Sequence, residues 1–324
     1  MQINIANSII EPKDIMKLIV PLYNFKYHEI ECILLKHCKN DTYKIILDKT
    51  KYFIEKIYSH YNNVEKIKQT IETLSLIKKH AQNISYAIPK KNGEYVSILK
   101  FPEGNRYITL HNYAPGVEQK YKTEVESYRY GIFIATLHQN IDISLENYTN
   151  FDQNIIKKDF IHSVEIINHY LLSKNRFSNI QYIKNLSKLI LNKLNDFQLE
   201  IAYCHNDLHG GNAHLLGDQL MFFDFDFSNF YPRAYELAVF KWSCEIGKRY
   251  KHWKIFLDAY TSIKPLNDCD KQAINFFILI RDIIIMSLDI DKTKLYGEIY
   301  LNDDYINKRI HFFKKMQKKY NIFN

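Results

Sequence analysis

Glycine is scarce and unevenly placed. The chain has 324 residues but only 9 glycines, and none precedes Gly93. No glycine-rich cradle for an anion can form before that point. Such cradles bring main-chain N–H groups close to a phosphate, and glycine makes that approach easiest. Cysteine is sparse as well. Cys32, Cys38, Cys204, Cys244 and Cys269 form no C-x-x-C pair, and their number is odd. A disulfide or zinc framework fits poorly, and a reducing cytoplasm fits best. Residues 1–17 lack a cationic start followed by an apolar core, so they do not read as a signal peptide. The most apolar stretch, Ile274–Leu288, is interrupted by Arg281 and Asp282. It is too short and too charged to span a bilayer, and no membrane partner is expected.

What is present fits a globular chain. Hydrophobic residues make up 46%, enough for a core, and the length suggests two domains. The 25 Tyr and 20 Phe suit clefts, but a compositional bias that also favours Lys, Ile and Asn is the simpler reading. The net charge of +8, from 44 basic and 36 acidic residues, favours anionic ligands such as nucleotides. It is concentrated only in the tail, at Lys308-Arg309, Lys314-Lys315 and Lys318-Lys319. Ile310, Phe312, Phe313 and Met316 interleave with these pairs, which predicts an amphipathic terminal helix with a solvated basic face. That argues against a nucleic-acid arm.

Hydrophobic spacing divides the chain. A helix is expected over 12–25, then a hairpin of Tyr43–Leu47 and Tyr52–Tyr58 around a polar turn. Val64, Ile67, Ile71, Leu74 and Ile77 form a helical stripe within 62–81. Two further strand-like runs end near Ile108–Tyr113, and Ala114-Pro115-Gly116 breaks the chain. Helical patterns then dominate, over 122–139, 157–173, 178–195, 233–249, 251–260 and 270–288. Residues 201–230 stand apart, with short apolar runs, adjacent glycines and clustered acids. The fold class is therefore α+β: a small β-rich N-lobe over 1–113, a larger helical C-lobe over 114–324, and a hinge near 111–116.

The informative stretch is His205-Asn206-Asp207-Leu208-His209-Gly210-Gly211-Asn212, followed by Phe222-Phe223-Asp224-Phe225-Asp226-Phe227. Asp224 and Asp226 alternate with four aromatics. A strand that delivers carboxylates from an apolar core to a cleft explains this, and such oxygens suit Mg²⁺. On a strand, Asp226 would share a face with Asp224, and either assist the metal or cap a turn. Phosphoryl transfer needs a carboxylate to orient the acceptor hydroxyl, an amide or carboxylate pair to hold metal, and a lysine for the nucleotide phosphates. H-x-D-x-x-x-x-N followed by D-F-x supplies the first two, at the spacing of a kinase catalytic loop.

Taken together, the sequence resembles the aminoglycoside phosphotransferase and choline kinase superfamily, of protein-kinase-like fold. The resemblance covers roughly residues 35–290. Its loop pattern, H-G-D-x-H-x-x-N, matches 205–212. Its D-F-x strand and following helix start match Phe223-Asp224-Phe225-Asp226 and Tyr231-Pro232-Arg233-Ala234-Tyr235-Glu236-Leu237-Ala238. Gly131–His138 matches a G-x-x-x-A-x-L-H helix, and residues 103–116 are similar to homoserine-kinase-like and stress-response-kinase-like branches.

The resemblance implies ATP, or GTP, with Mg²⁺ as cofactors. Asp207 would be the base or hydroxyl orienter and His205 a loop support. His209 would either aid the transferred phosphoryl group or pack the loop. Asn212 and Asp224, with Asp226, would hold metal. Glu236 would brace the loop from below. Lys56 would grip the nucleotide phosphates, with Glu72 as its ion-pair partner and Glu65 as the competitor. Main-chain groups of 111–114, His111 and Tyr113 among them, would meet adenine. The turn near Lys39-Asn40-Asp41-Thr42, which would cover the nucleotide, departs from protein kinases in having no glycine.

The implied partner is a small-molecule hydroxyl acceptor: an antibiotic, an amino alcohol or a homoserine-like molecule. Glu146, Asp152 and Asp268 are candidate carboxylates toward it. The alternatives are a Ser/Thr protein kinase of the bacterial stress-response type and a pseudokinase binding module. Intact Asp207, Asn212 and Asp224 speak against the latter.

Overall fold

The computed structural model describes residues 5–119, 121, 123–145, 152, 154–299 and 301–323; Glu146 lies outside them. The chain folds into two compact units. One joins Met1–Glu118 with Ala213–Asp226, and the other joins Gln119–Asn212 with Phe227–Asn324.

The first unit opens with α1, Pro12–Leu18, and a 3-10 turn, Val20–Leu22. The helix expected over 12–25 stops early because Pro21 has no N–H to continue it. Five antiparallel strands follow: β1 Ile30–His37, β2 Asp41–Leu47, β3 Lys51–Tyr58, β4 Ser97–Phe101 and β5 Gly104–Asn112, in the order β1-β2-β3-β5-β4. Along β2 every second residue is buried, so Tyr43, Ile45 and Leu47 face the core. Helix α2, Val64–Ile77, is capped by Asn63, whose side chain accepts from the N–H of Glu65 and Lys66. Its buried face carries Ile67, Ile71, Leu74 and Ile77.

A short strand β6, Val117–Glu118, pairs with β8, Ala213–Leu216, which pairs with β9, Gln219–Phe222. Phe222 is tied further: its N–H donates to Asn83 O, and its carbonyl accepts from Ser85 N–H at 2.7 Å. These bonds put 213–226 in the first unit. The chain therefore passes between the units at 118/119, 212/213 and 226/227, where the sequence suggested one boundary at 113/114. The break at Gly116 is a close approach. Its φ is +104°, and a Cβ there would lie 2.3 Å from Leu215 O.

The second unit is helical: α3 Glu124–Ser144, α4 Ile155–Ser173, α5 Phe177–Leu194, α6 Arg233–Ile246, α7 Tyr250–Ile263, α8 Asp268–Tyr296 and α9 Asp303–Tyr320. Two short strands, β7 Ile201–Cys204 and β10 Asn229–Pro232, pair antiparallel before α6. Among the described residues no helix is long and apolar enough to cross a membrane. Helix α9 buries Ile306, Ile310, Phe313 and Met316 and exposes Lys308, Lys314, Lys315 and Lys318. Two of its cations turn inward, Arg309 to Asp282 at 2.6 Å and Lys319 to Glu245 at 2.8 Å.

Gly131 explains one of the sequence patterns. A Cβ at this point of α3 would lie 2.4 Å from Phe256 O on α7. The helices touch there, backbone to backbone. Gly131→Val should therefore lower stability by about 1–3 kcal/mol, the range for overpacking. Denaturant unfolding measures it, and an unchanged midpoint would show that the helices part at no cost.

Candidate functional site

In the second unit, the chain leaves β7 at Cys204 and turns sharply through His205 and Asn206 into Asp207. Asn206 has φ +64°, in the left-handed region. The resembling pattern places glycine here, and asparagine is among the few side chains that tolerate the conformation. Asn206 also uses its side chain, donating from Nδ2 to Phe227 O at 3.1 Å. Beneath the turn lies Glu236 of α6, 2% exposed. Its Oε2 accepts from the N–H of His205 at 2.7 Å, and its Oε1 accepts from the N–H of Asn206 at 2.8 Å. His205 itself is buried.

His138 completes the support. It lies within 3.2 Å of Glu236 Oε2 through Nε2 and 2.9 Å from the Tyr260 hydroxyl through Nδ1. The carboxylate needs a donor, so the ring carries its proton on Nε2 and accepts the Tyr260 O–H. Burial lowers the His138 pKa, against the pull of Glu236, so the ring is neutral. Burial would raise Glu236, but His138 and the loop N–H groups outweigh it and hold Glu236 below the usual range.

Asp207 is held on both oxygens. Its Oδ1 takes Arg281 Nη2 from α8 at 2.5 Å, and its Oδ2 takes Asn212 Nδ2 at 3.1 Å. His209 Nε2 stands 3.5 Å from the same Oδ2, while His209 Nδ1 accepts from Gly211 N–H. That acceptor role ties the ring to the main chain of its own loop. Arg281, 4% exposed, also donates from Nη1 to Asn206 O at 3.1 Å. Burial pushes Asp207 up, but His209 and Arg281 outweigh it and hold the carboxyl far below the usual carboxylate range. Asn212 spends Nδ2 on the Asp207 carboxylate and on Asp207 O. Its Oδ1 is then the end suited to a cation.

The first unit assembles a second cluster. Lys56 Nζ lies 2.5 Å from Asp224 Oδ1 and 2.6 Å from Asp226 Oδ2. Burial opposes its charge, but the two carboxylates win and raise Lys56 above the ordinary lysine range. Asp226 is raised, by burial first, against the pull of Lys56. Two expectations are corrected here. Lys56 does not pair with Glu72, which is exposed on α2; Glu65 is exposed too and pairs with Lys68. Nor do Asp224 and Asp226 alternate on a strand. β9 ends at Phe222, Asp224 has φ +66°, and Phe225–Phe227 is a 3-10 turn. The turn, not strand alternation, brings both carboxylates to Lys56.

Around the expected hinge, Asn112 N–H donates to Tyr86 O, Asn112 O accepts from Ser85 Oγ, and Ala114 O contacts His214 Nδ1 at 2.7 Å. His111 is 2.8 Å from Thr109 Oγ1; burial, then the Lys56 charge, push its pKa down to about 3, so it is neutral. Asp152 and Asp268 pair with Lys158 and Lys271 at the surface.

Residues 34–264 match the family described as "Phosphotransferase enzyme family". The chain belongs to this family. Its sequence is 24% identical to the uncharacterized Synechocystis protein sll1119, over 88% of this chain and 81% of that one. This phosphotransferase also shares its fold with solved structures. The amicoumacin kinase hAmiN, solved with AMP-PNP, Ca²⁺ and Ami, aligns at a TM-score of 0.74 and 16% identity, covering 96% of this chain and 94% of its own. A microcompartment-associated aminopropanol kinase aligns at 0.69 and 15% identity, covering 96% and 99%. The fold is protein-kinase-like, and the enzyme is a phosphotransferase.

Sequence reasoning overlooked Arg281 as a partner of Asp207. Arg281 had a signal: a charge inside an apolar helical run must find a partner. Arg281→Met should lower kcat by roughly 10²-fold with little change in KM, because Asp207 would lose its fixed orientation. Steady-state kinetics decides, and an equal loss in kcat and in binding would point to general unfolding.

Glu236→Gln should lower stability by about 1–3 kcal/mol, since an amide cannot accept from both loop N–H groups and His138 together. Because the folded-state pKa of Glu236 lies below its unfolded value, this contribution is complete at neutral pH. It fades as pH falls from about 4.3 downward. Unfolding of both proteins from pH 7 to 3 should show the gap closing on the acid side.

Proposed function

We propose that the enzyme moves the γ-phosphoryl group of ATP, with Mg²⁺, to a hydroxyl of a small molecule. The observation that carries this is Asp207, a carboxylate kept ionised and fixed on both oxygens at the position where the family pattern places the hydroxyl orienter. A carboxylate so acidic removes little charge from an alcohol in the ground state. It instead holds the hydroxyl in line and takes the proton late, as a loose phosphoryl-transfer transition state requires.

Lys56 would grip the phosphate oxygens as a compact charge. Asp224, Asp226 and Asn212 offer hard oxygen donors of the kind Mg²⁺ prefers. When bound, the ion would neutralise charge on the phosphates. Asp226 fits this task while Lys56 and Asn40 share its Oδ2, because its other oxygen remains for a cation. The hinge around Tyr113 would take the base.

Two kinases of like fold, one named for amicoumacin and one for aminopropanol, support an acceptor of this kind. An amine-bearing alcohol is our first candidate. A panel of amino alcohols, hydroxy amino acids and antibiotics with ATP and Mg²⁺, read by mass spectrometry for an added phosphoryl group, identifies it. Asp207→Asn should lower turnover on the positive acceptor roughly 10²–10⁴-fold while the protein stays folded. A variant keeping more than half the wild-type rate would remove Asp207 from the reaction.

A further inference from the structure

The sheet of the first unit carries a carboxyl inside its apolar core. Side chains alternate across β3, so Lys56 lies on one face while Glu55 and Ile57 lie on the other. Tyr43 of β2 and Leu110 of β5 stand opposite Glu55 on its two sides. Ile15 and Ile19, Val20 and Tyr23, from α1 and the 3-10 turn that follows it, pack into the same core as Tyr43, Ile57 and Leu110. Glu55 is completely buried, and among the described residues no donor reaches either of its oxygens.

The neighbours that could have met it are spent elsewhere or neutral. The Tyr23 hydroxyl bonds the main chain of Leu110, and the Tyr43 hydroxyl donates to Ile10 O at 2.7 Å. Burial, and then the Glu55 charge, push the Cys32 thiol of β1 up to about 12 and raise Tyr23 as well, so both stay neutral. The cation on this face, Arg106 of β5, is taken by Asp41 of β2 at 2.7 Å. On α1, Lys17 is exposed and pairs with Asp14 at 3.6 Å, and Lys13 pairs with Glu11. An anion at Glu55 would have no compensation, and burial holds its carboxyl well above the usual carboxylate range.

We propose that Glu55 is a proton-operated latch for the N-terminal helix: while its carboxyl is neutral, α1 and the 3-10 turn stay docked on the sheet, and loss of the proton releases them. The helix has seven residues, too few to persist without packing. Its hold on the sheet is Ile15, with Ile19, Val20 and Tyr23 just beyond, all in the core that surrounds Glu55. Ionisation places a bare charge against these side chains, and only their departure admits water to it. Linkage gives the direction. The docked carboxyl has a pKa above its undocked value of about 4.3, so docking is strongest below that value and weakens as pH rises toward the docked one. The docked state holds one more proton than the released state. The released fraction therefore grows by up to about tenfold for each pH unit in that window. This runs opposite to Glu236, whose contribution fades toward acid.

Limited digestion of the full chain with trypsin from pH 6 to 8 tests this. Cleavage after Lys13 and Lys17 requires α1 to open, and mass spectrometry follows it in the wild type, in Glu55→Gln and in Glu55→Leu. Neither variant can ionise at this position. Dividing the wild-type rate by the Glu55→Gln rate in the same buffer removes the protease's own pH dependence. That ratio should climb by up to about tenfold per pH unit, while Glu55→Leu follows the same pH profile as Glu55→Gln. Glu55→Leu, whose side chain suits an apolar core, serves as the reference if the buried amide of Glu55→Gln disturbs folding. A ratio that stays flat across the range overturns the proposal. So does an equal rise after Lys184 and Lys188, exposed on α5 of the second unit, because general unfolding and not release of α1 would then be the cause.

Discussion

The loop over 205–212 hangs on one buried carboxylate. Glu236 accepts the main-chain N–H groups of two successive residues, His205 and Asn206, and is itself held by His138. A backbone turn with a left-handed residue has no regular secondary structure to satisfy its N–H groups, so a buried acceptor must do so. Every further feature of the loop presumes this anchor. Asp207 can meet Arg281 because the preceding peptide is pinned, and Arg281 in turn reads both the Asn206 carbonyl and the Asp207 carboxylate. The Gly131–His138 pattern acquires a physical meaning too. The glycine lets α3 approach α7, and the histidine seven residues later is the donor that keeps Glu236 charged.

Charges inside the second unit are organised along α8. Arg281 and Asp282 sit side by side in an otherwise apolar run, and their charges meet different ions, Asp207 for the one and Arg309 for the other. Arg281 faces Asp207 and lies over the Trp242 ring, whose centroid is 5.6 Å away. Asp282 receives Trp242 Nε1 at 2.7 Å and Arg309 of α9 at 2.6 Å. The last helix therefore braces the wall behind Asp207. This gives its cations a role that a solvated basic face would not have.

What the sequence made legible was short-range chemistry. The spacing of His205, Asp207 and Asn212 depends on a local turn, and helical stripes such as Ile67, Ile71 and Leu74 depend on a local period, so both could be read directly. Lys56 was legible as a strand lysine, but its partners were not. They lie 168 and 170 positions away in sequence, through a turn whose left-handed Asp224 no periodicity rule announces. Glu72 shared a helix with the right apolar stripe, yet sits on its solvent side. The first unit likewise recruits 213–226 through strand pairing to β6, a contact invisible to composition.

The crowding around Asp207 carries a consequence for regiochemistry. A carboxylate offers about four lone-pair directions, and here Arg281, Asn212 and His209 stand at three of them. If Asp207 orients the acceptor as proposed, an alcohol would approach along the remaining direction, set by the protein and not by the molecule that enters it. A polyhydroxylated acceptor would have to present one particular oxygen along that line, and its other hydroxyls, though equally nucleophilic, would never be aligned. The product of such a site is one phosphate ester from many possible isomers, chosen by the number of hydrogen bonds the reacting group has already made.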